Sequence, residues 1–116
     1  MKNILLFSTG LSPQVVTESL YYHTQISKIK INSIYVITDS TGEKLLDNLF
    51  KWYNQFLNEY EIKYKINFTL NNIFILNDKK NNPLKDLKTI DDNDAAVTQI
   101  FDIINDLSNI ENSRLI

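Results

Sequence analysis

Apolar residues along this chain switch between continuous runs and a helical period, and each switch marks an element. Residues 3–8, NILLFS, make a short apolar run closed by turn residues, the pattern of a strand buried on both faces. Ser12 then suits a helix cap and Pro13 the first helical position, where a missing N–H costs nothing. The spacing predicts a helix from Pro13 to about Ser27, with Val16, Leu20 and His23 on one side. SIYVIT, 33–38, predicts a second strand. Beyond it Ser40 and Glu43 have capping-box spacing. In the helix that follows, Leu45, Leu46, Leu49, Phe50, Tyr53, Phe56, Leu57 and Tyr60 recur at the interval of one helical face.

The second half continues in the same way. Residues 62–70, IKYKINFTL, alternate apolar and polar side chains and predict an extended segment, and IFIL, 73–76, reads as a buried strand. NDKKNNPLKD is a polar turn region in which Lys79 and Lys80 read as solvated. A third helix starts near Asp92 and carries Ala96, Ile100, Ile103, Ile104 and Leu107, and SRLI, 113–116, opens another strand. Strands alternating with helices in this order build a parallel sheet with right-handed crossovers. The expected fold is α/β, a Rossmann-like parallel sheet with flanking helices, in one domain spanning 1–116. Ligands of such sheets sit beyond the carboxyl ends of the strands, which puts Ser8–Ser12, and secondarily Thr38–Thr41, at the ligand edge.

The first of these turns, STGLSPQ, has its own chemistry. It offers the hydroxyls of Ser8, Thr9 and Ser12 and the amide of Gln14, and Gly10 lets backbone approach a ligand closely. The free N–H groups of the following helical turn can hold an anion without any cationic side chain. The same residues also suffice for a capped turn that binds nothing. Neither G-x-G-x-x-G nor G-K-[ST] is present, which argues against a dinucleotide cofactor and an ATP-hydrolysing loop.

Charge and composition narrow the partners. Eleven Lys and one Arg face fourteen acids, for a net charge of −2, so the basic stripe of a duplex-binding surface is not expected. There is no cysteine, hence no disulfide, thiolate metal site or thiol nucleophile. No apolar run has the length of a membrane span and no signal-peptide organisation is seen, so a cytoplasmic location and no membrane partner are expected. The only histidine, His23, reads as a packing or surface residue of the first helix, with no second His or Cys to share a metal. Asp91, Asp92 and Asp94 suit a helix start and lack the Gly and distal Glu of a calcium loop. Neither a metal nor a cofactor is expected. The aromatics of the second helix read as core; Trp52 suits either core or a partner contact, and Tyr21 and Tyr22 read as packing, with a dimer face or base stacking as their functional alternatives.

STGLSPQVVTESLYY resembles the N-terminal signature of CRISPR-associated Rossmann-fold (CARF) proteins, in particular the branch reading T-G-x-S-P-Q-V-V-T-E-T-L-Y. YVITDSTGEKLL is similar to the second strand, turn and helix of that branch. In NPLKDLKTIDDNDAAVTQI, Thr89, Asp92, Asn93, Ala95 and Ala96 match its R-T-x-E-D-N-x-A-A pattern, with Lys88 in place of Arg and Asp92 in place of Glu. The resemblance implies a sensor of cyclic oligoadenylate, the second messenger of type III CRISPR defence. It implies a homodimer that holds the ring across its two-fold axis, with a fused or associated effector nuclease as a further partner. The ligand loop becomes Ser8, Thr9, Gly10, Leu11, Ser12 and Gln14, with Thr38 and Asp39 at the rim.

Some members of the family also cleave the ring without a metal, through attack of a ribose 2′-OH on the adjacent phosphate. In this branch SRLI leads into a Gly-Gly-Arg-Lys loop that supplies basic side chains; the resemblance stops before it, and the domain is expected to be incomplete at its C-terminal end. No catalytic residue is identified within 1–116. The alternatives to a sensor are thus a metal-independent ring nuclease that relies on that loop, and a dimerisation or docking module of a larger CRISPR effector that binds no ligand.

Overall fold

The computed structural model describes residues 1–8, 13–39, 43–77, 82 and 90–116. Its four strands form one parallel sheet. β1 is Lys2–Ser8, β2 Ser33–Thr38, β3 Ile73–Ile75 and β4 Ser113–Leu115, in the order β3-β2-β1-β4. β1 lies against β2 in the register Ile4↔Ser33 to Ser8↔Ile37, and against β4 from Lys2↔Ser113 to Ile4↔Leu115. The three helices are α1, Pro13–Tyr21, α2, Leu46–Glu59, and α3, Ile90–Ser108. The expected α/β architecture is the one observed.

The two inner strands are apolar throughout because both faces of the sheet are covered. With a side-chain period of two, Leu5, Phe7, Ile34 and Val36 face one layer while Leu6 and Ile37 face the other. The first layer is filled by Val16 and Leu20 of α1 and by Leu46, Leu49, Tyr53 and Phe56 of α2. Ala96, Ile100 and Ile103 of α3 pack with Leu76 in the second. α1 and α2 therefore share one face and α3 covers the other, as right-handed crossovers require of this strand order. Among the described residues no helix is long and apolar enough to cross a membrane.

Several details depart from the sequence expectation. The helix predicted to Ser27 leaves α geometry at Tyr22, and residues Tyr22–Ile26 form a π-helical turn. Ser27 N–H donates to Tyr22 O at 2.9 Å, and Thr24 Oγ1 donates back to Leu20 O at 2.7 Å, which widens the ladder there. The segment 62–70 is not a strand. It touches β2 through one bridge, Ser33↔Asn67, while Ile66 and Phe68 are buried and Phe68 packs on Phe50 and Tyr53. Its alternation reports one face laid on the core rather than a ladder. β3 is an edge strand, half-buried along its length, and not the buried strand expected of IFIL. Leu45, expected in the α2 core stripe, and Ile104, expected in that of α3, are exposed. Ser40, Lys79 and Lys80 lie outside the described residues, so the capping box and the polar turn are not described.

Buried amides tie the elements together where hydrophobicity alone gives no register. Asn3 Nδ2 donates to Lys30 O at 2.8 Å, its N–H donates to Asn32 Oδ1 at 2.8 Å, and Arg114 Nε donates to Asn3 Oδ1 at 2.7 Å. One side chain in β1 thus fixes both the approach to β2 and the placement of β4. Asn72 Nδ2 donates to Ile34 O and Asn67 O, each at 2.9 Å, holding the 3₁₀ turn Leu70–Asn72 that leads into β3.

Candidate functional site

The strand order places a topological switch beside β1. From β1 the chain passes through α1 to β2 on one side, while β4, reached through α3 on the opposite face, lies on the other. In open α/β sheets the crevice at such a switch, outside the strand carboxyl ends, is where ligands bind. Ser8, the last residue of β1, stands at that edge opposite Ile37, and Thr38, the last residue of β2, stands one position beyond. Gln14 is the second residue of α1 and is exposed. Asp39 follows Thr38 and is half-buried. Glu43 N–H donates to Asp39 O at 3.1 Å, which turns the chain toward α2. Thr9, Gly10, Leu11 and Ser12 lie outside the described residues.

Thr38 is the unusual residue of this edge. Its side chain is only 2% exposed, and Oγ1 has no hydrogen-bond partner among the described residues. Its backbone is engaged, with Leu76 N–H donating to Thr38 O at 2.8 Å, so strand pairing explains its position but not its hydroxyl. A buried hydroxyl left unpaired costs about 1–3 kcal/mol. Such groups in native structures call for a partner outside the fold.

Two further residues shape the edge, and neither was singled out from the sequence. Gln99 of α3 grips the backbone just past β3. Its Oε1 accepts from Asn77 N–H at 2.8 Å, its Nε2 donates to Asn77 O at 2.6 Å, and the same Nε2 donates to Ala95 O at 2.9 Å. One side-chain amide thus replaces a strand partner and locks the exit of β3 to α3. The signal was available: Gln99 lies three residues past Ala96, on the core-facing stripe, where a polar group needs a partner. Elsewhere Tyr21, Tyr22 and Trp52 are exposed, so none of the three is core, and His23 is half-buried on the inner side of the π turn. Of the aspartates, Asp94 is exposed, and the side chains of Asp91 and Asp92 lie outside what is described. No trio of His, Cys, Asp or Glu able to hold a metal occurs among the described residues.

A model of the family described as CRISPR-associated protein NE0113 matches residues 12–116. The chain belongs to that family. Searches of curated proteins and of solved structures return no match. The NE0113 match takes in Ser12, Gln14, Thr38 and Asp39 together with all three helices. It begins after Ser8–Leu11, so β1 and the first part of its turn precede the span that defines the NE0113 relationship.

Proposed function

We propose that this CRISPR-associated chain is a CARF-type sensor of cyclic oligoadenylate, which it binds at the carboxyl edge of the sheet. The observation that carries the reading is the unpaired Thr38 hydroxyl at the end of β2, beside the topological switch at β1. A ligand with phosphate, ribose hydroxyl and base-edge groups supplies the partner that Oγ1 lacks. Ser8, Thr9, Gly10, Leu11, Ser12 and Gln14 hold the phosphate and ribose through hydroxyls and backbone N–H groups, and the N-terminus of α1 adds its field. Thr38 and Asp39 form the rim. Family membership supports the CRISPR setting, and the sequence likeness of STGLSPQVVTESLYY to the CARF signature supports the ligand class.

The chain works as a homodimer in this reading, because a symmetric ring presents the same groups to two copies related by a two-fold axis. An exposed apolar stripe on α3, Val97, Phe101 and Ile104 at intervals of four and three residues, supports association.

Thermal unfolding in the presence of cyclic tri-, tetra- and hexa-adenylate tests the proposal. One ring size is expected to raise the midpoint in a concentration-dependent way, by about 2.7 kcal/mol of stabilisation at a hundredfold excess over Kd. Chromatography of the recovered ligand separates a sensor, which returns the intact ring, from a ring nuclease, which returns linear product. No shift with any ring overturns the proposal and leaves the non-binding module.

A further inference from the structure

The largest groove of the described surface lies at the opposite end of the molecule. Of about 400 Å³, it runs between α1 and α2 and is lined by Glu18, Tyr21, Trp52, Phe56, Glu59 and Tyr60 among others. These belong to the C-terminal halves of the two helices, and both helices begin at the carboxyl edge of a parallel sheet, so the groove is remote from Ser8 and Thr38.

Three features of the groove agree. Its walls are aromatic and accessible: Tyr21 is 42% and Trp52 41% exposed, and Tyr21 meets Tyr60 edge-on with ring centroids 5.4 Å apart. Its charge is of one sign, since Glu18 and Glu59 are exposed and neither makes an ion pair with a described residue. Thirdly, Glu59 is the last residue of α2, at the negative end of the helix dipole, and the last turn contains no basic residue. A carboxylate is unfavourable there and a cation favourable. Elsewhere the chain supplies its own cation to an exposed ring, with Lys30 Nζ 4.9 Å from the Tyr64 centroid. The Tyr60 hydroxyl is held above its ordinary range by desolvation first, then by Glu59 and Tyr21, in keeping with a negative locality.

From this arrangement we infer that the α1–α2 groove binds a small organic cation, an alkylammonium or guanidinium group seated against Trp52, Tyr21 and Tyr60 and neutralised by Glu18 and Glu59. Aromatic faces attract such cations through the ring quadrupole, and weakly hydrated organic cations gain most. Inorganic cations, tightly hydrated, gain little from the same walls.

Trp52 is the only tryptophan of the chain, so its emission reports the groove directly. The full chain is titrated at fixed ionic strength with choline, spermidine and argininamide, and with 3,3-dimethyl-1-butanol, the uncharged counterpart of choline. A saturable change with the cations and none with the alcohol is expected. Saturation with choline or spermidine alone identifies a free amine as the ligand, and with argininamide alone a guanidinium. Glu59→Gln and Glu18→Gln, both at exposed positions and checked for folding by circular dichroism, are expected to weaken binding roughly threefold each. An equal response to the alcohol, an unsaturable response, or affinity unchanged in both Gln variants overturns the inference.

Discussion

At the scale of single residues, Thr38 links stability to function. Valine matches threonine in shape and removes the unpaired Oγ1. Thr38→Val is therefore expected to stabilise the unligated chain by about 1 kcal/mol in urea unfolding while weakening the binding of the ring. An unligated chain that loses stability would mean that the hydroxyl already has a partner. Tyr53 gives a pH signature. Burial first, and the neighbouring Tyr64 second, push its hydroxyl from 10.0 up to about 12. Between these values the unfolded chain has released the proton and the folded chain keeps it, so stability is intact below pH 10 and falls as pH rises toward 12. Unfolding midpoints measured across that window are expected to drop in the native protein and to drop less in Tyr53→Phe. The apolar residues of the core were legible one by one, since Val16, Leu20, Leu49 and Phe56 all lie where periodicity put them. The amides were not, because Asn3, Asn72 and Gln99 acquire meaning only through carbonyls far away in sequence.

Among the elements, the exits of helices and strands carry the specific chemistry. α2 ends in a Schellman arrangement: Glu61 N–H donates to Asn58 O, Ile62 N–H donates to Leu57 O, and Glu61 adopts φ 53°. A side chain in the left-handed region costs about 1–2 kcal/mol there, and glycine avoids this at some entropic cost in the unfolded chain. Glu61→Gly is therefore expected to raise stability by up to about 1 kcal/mol, read as a higher urea midpoint at unchanged slope. At the exit of β3, Gln99→Leu keeps the bulk but strips Asn77 of both partners, and a loss of about 1–3 kcal/mol is expected in the same measurement. Strong periodicity made the three helices and the two inner strands readable. The failures share one cause. Alternation over 62–70, the apolar run of β3 and the last turn of α1 record contact with the core, whereas strand pairing and the π-helical ladder depend on which backbone lies alongside.

For the whole molecule, the alternation of strands and helices announced a parallel sheet, but not that β4 would add beside β1 rather than beyond β3. That placement creates the switch, and the hydrogen bond from Arg114 to Asn3 on the same pair of strands holds it. The candidate site was accordingly half legible: the turn after β1 from its residue types, and the Thr38 end of β2 from the order of elements. The burial of Thr38 and its unpaired hydroxyl were not. If pairing of two copies completes the site, the exposed stripe of α3 belongs to the account, and Phe101→Lys is expected to lower the apparent mass in light scattering while leaving the far-ultraviolet spectrum unchanged, since Phe101 is 68% exposed.

The measurement that bears most directly on the central claim is a calorimetric titration of cyclic oligoadenylate, in each ring size, into the native chain and into Thr38→Val. Saturable heat with one ring size is expected, at one ring per two chains, with weaker binding in the variant. The absence of heat with every ring, or equal affinity in the two proteins, would contradict a ligand site at the carboxyl edge completed by Thr38.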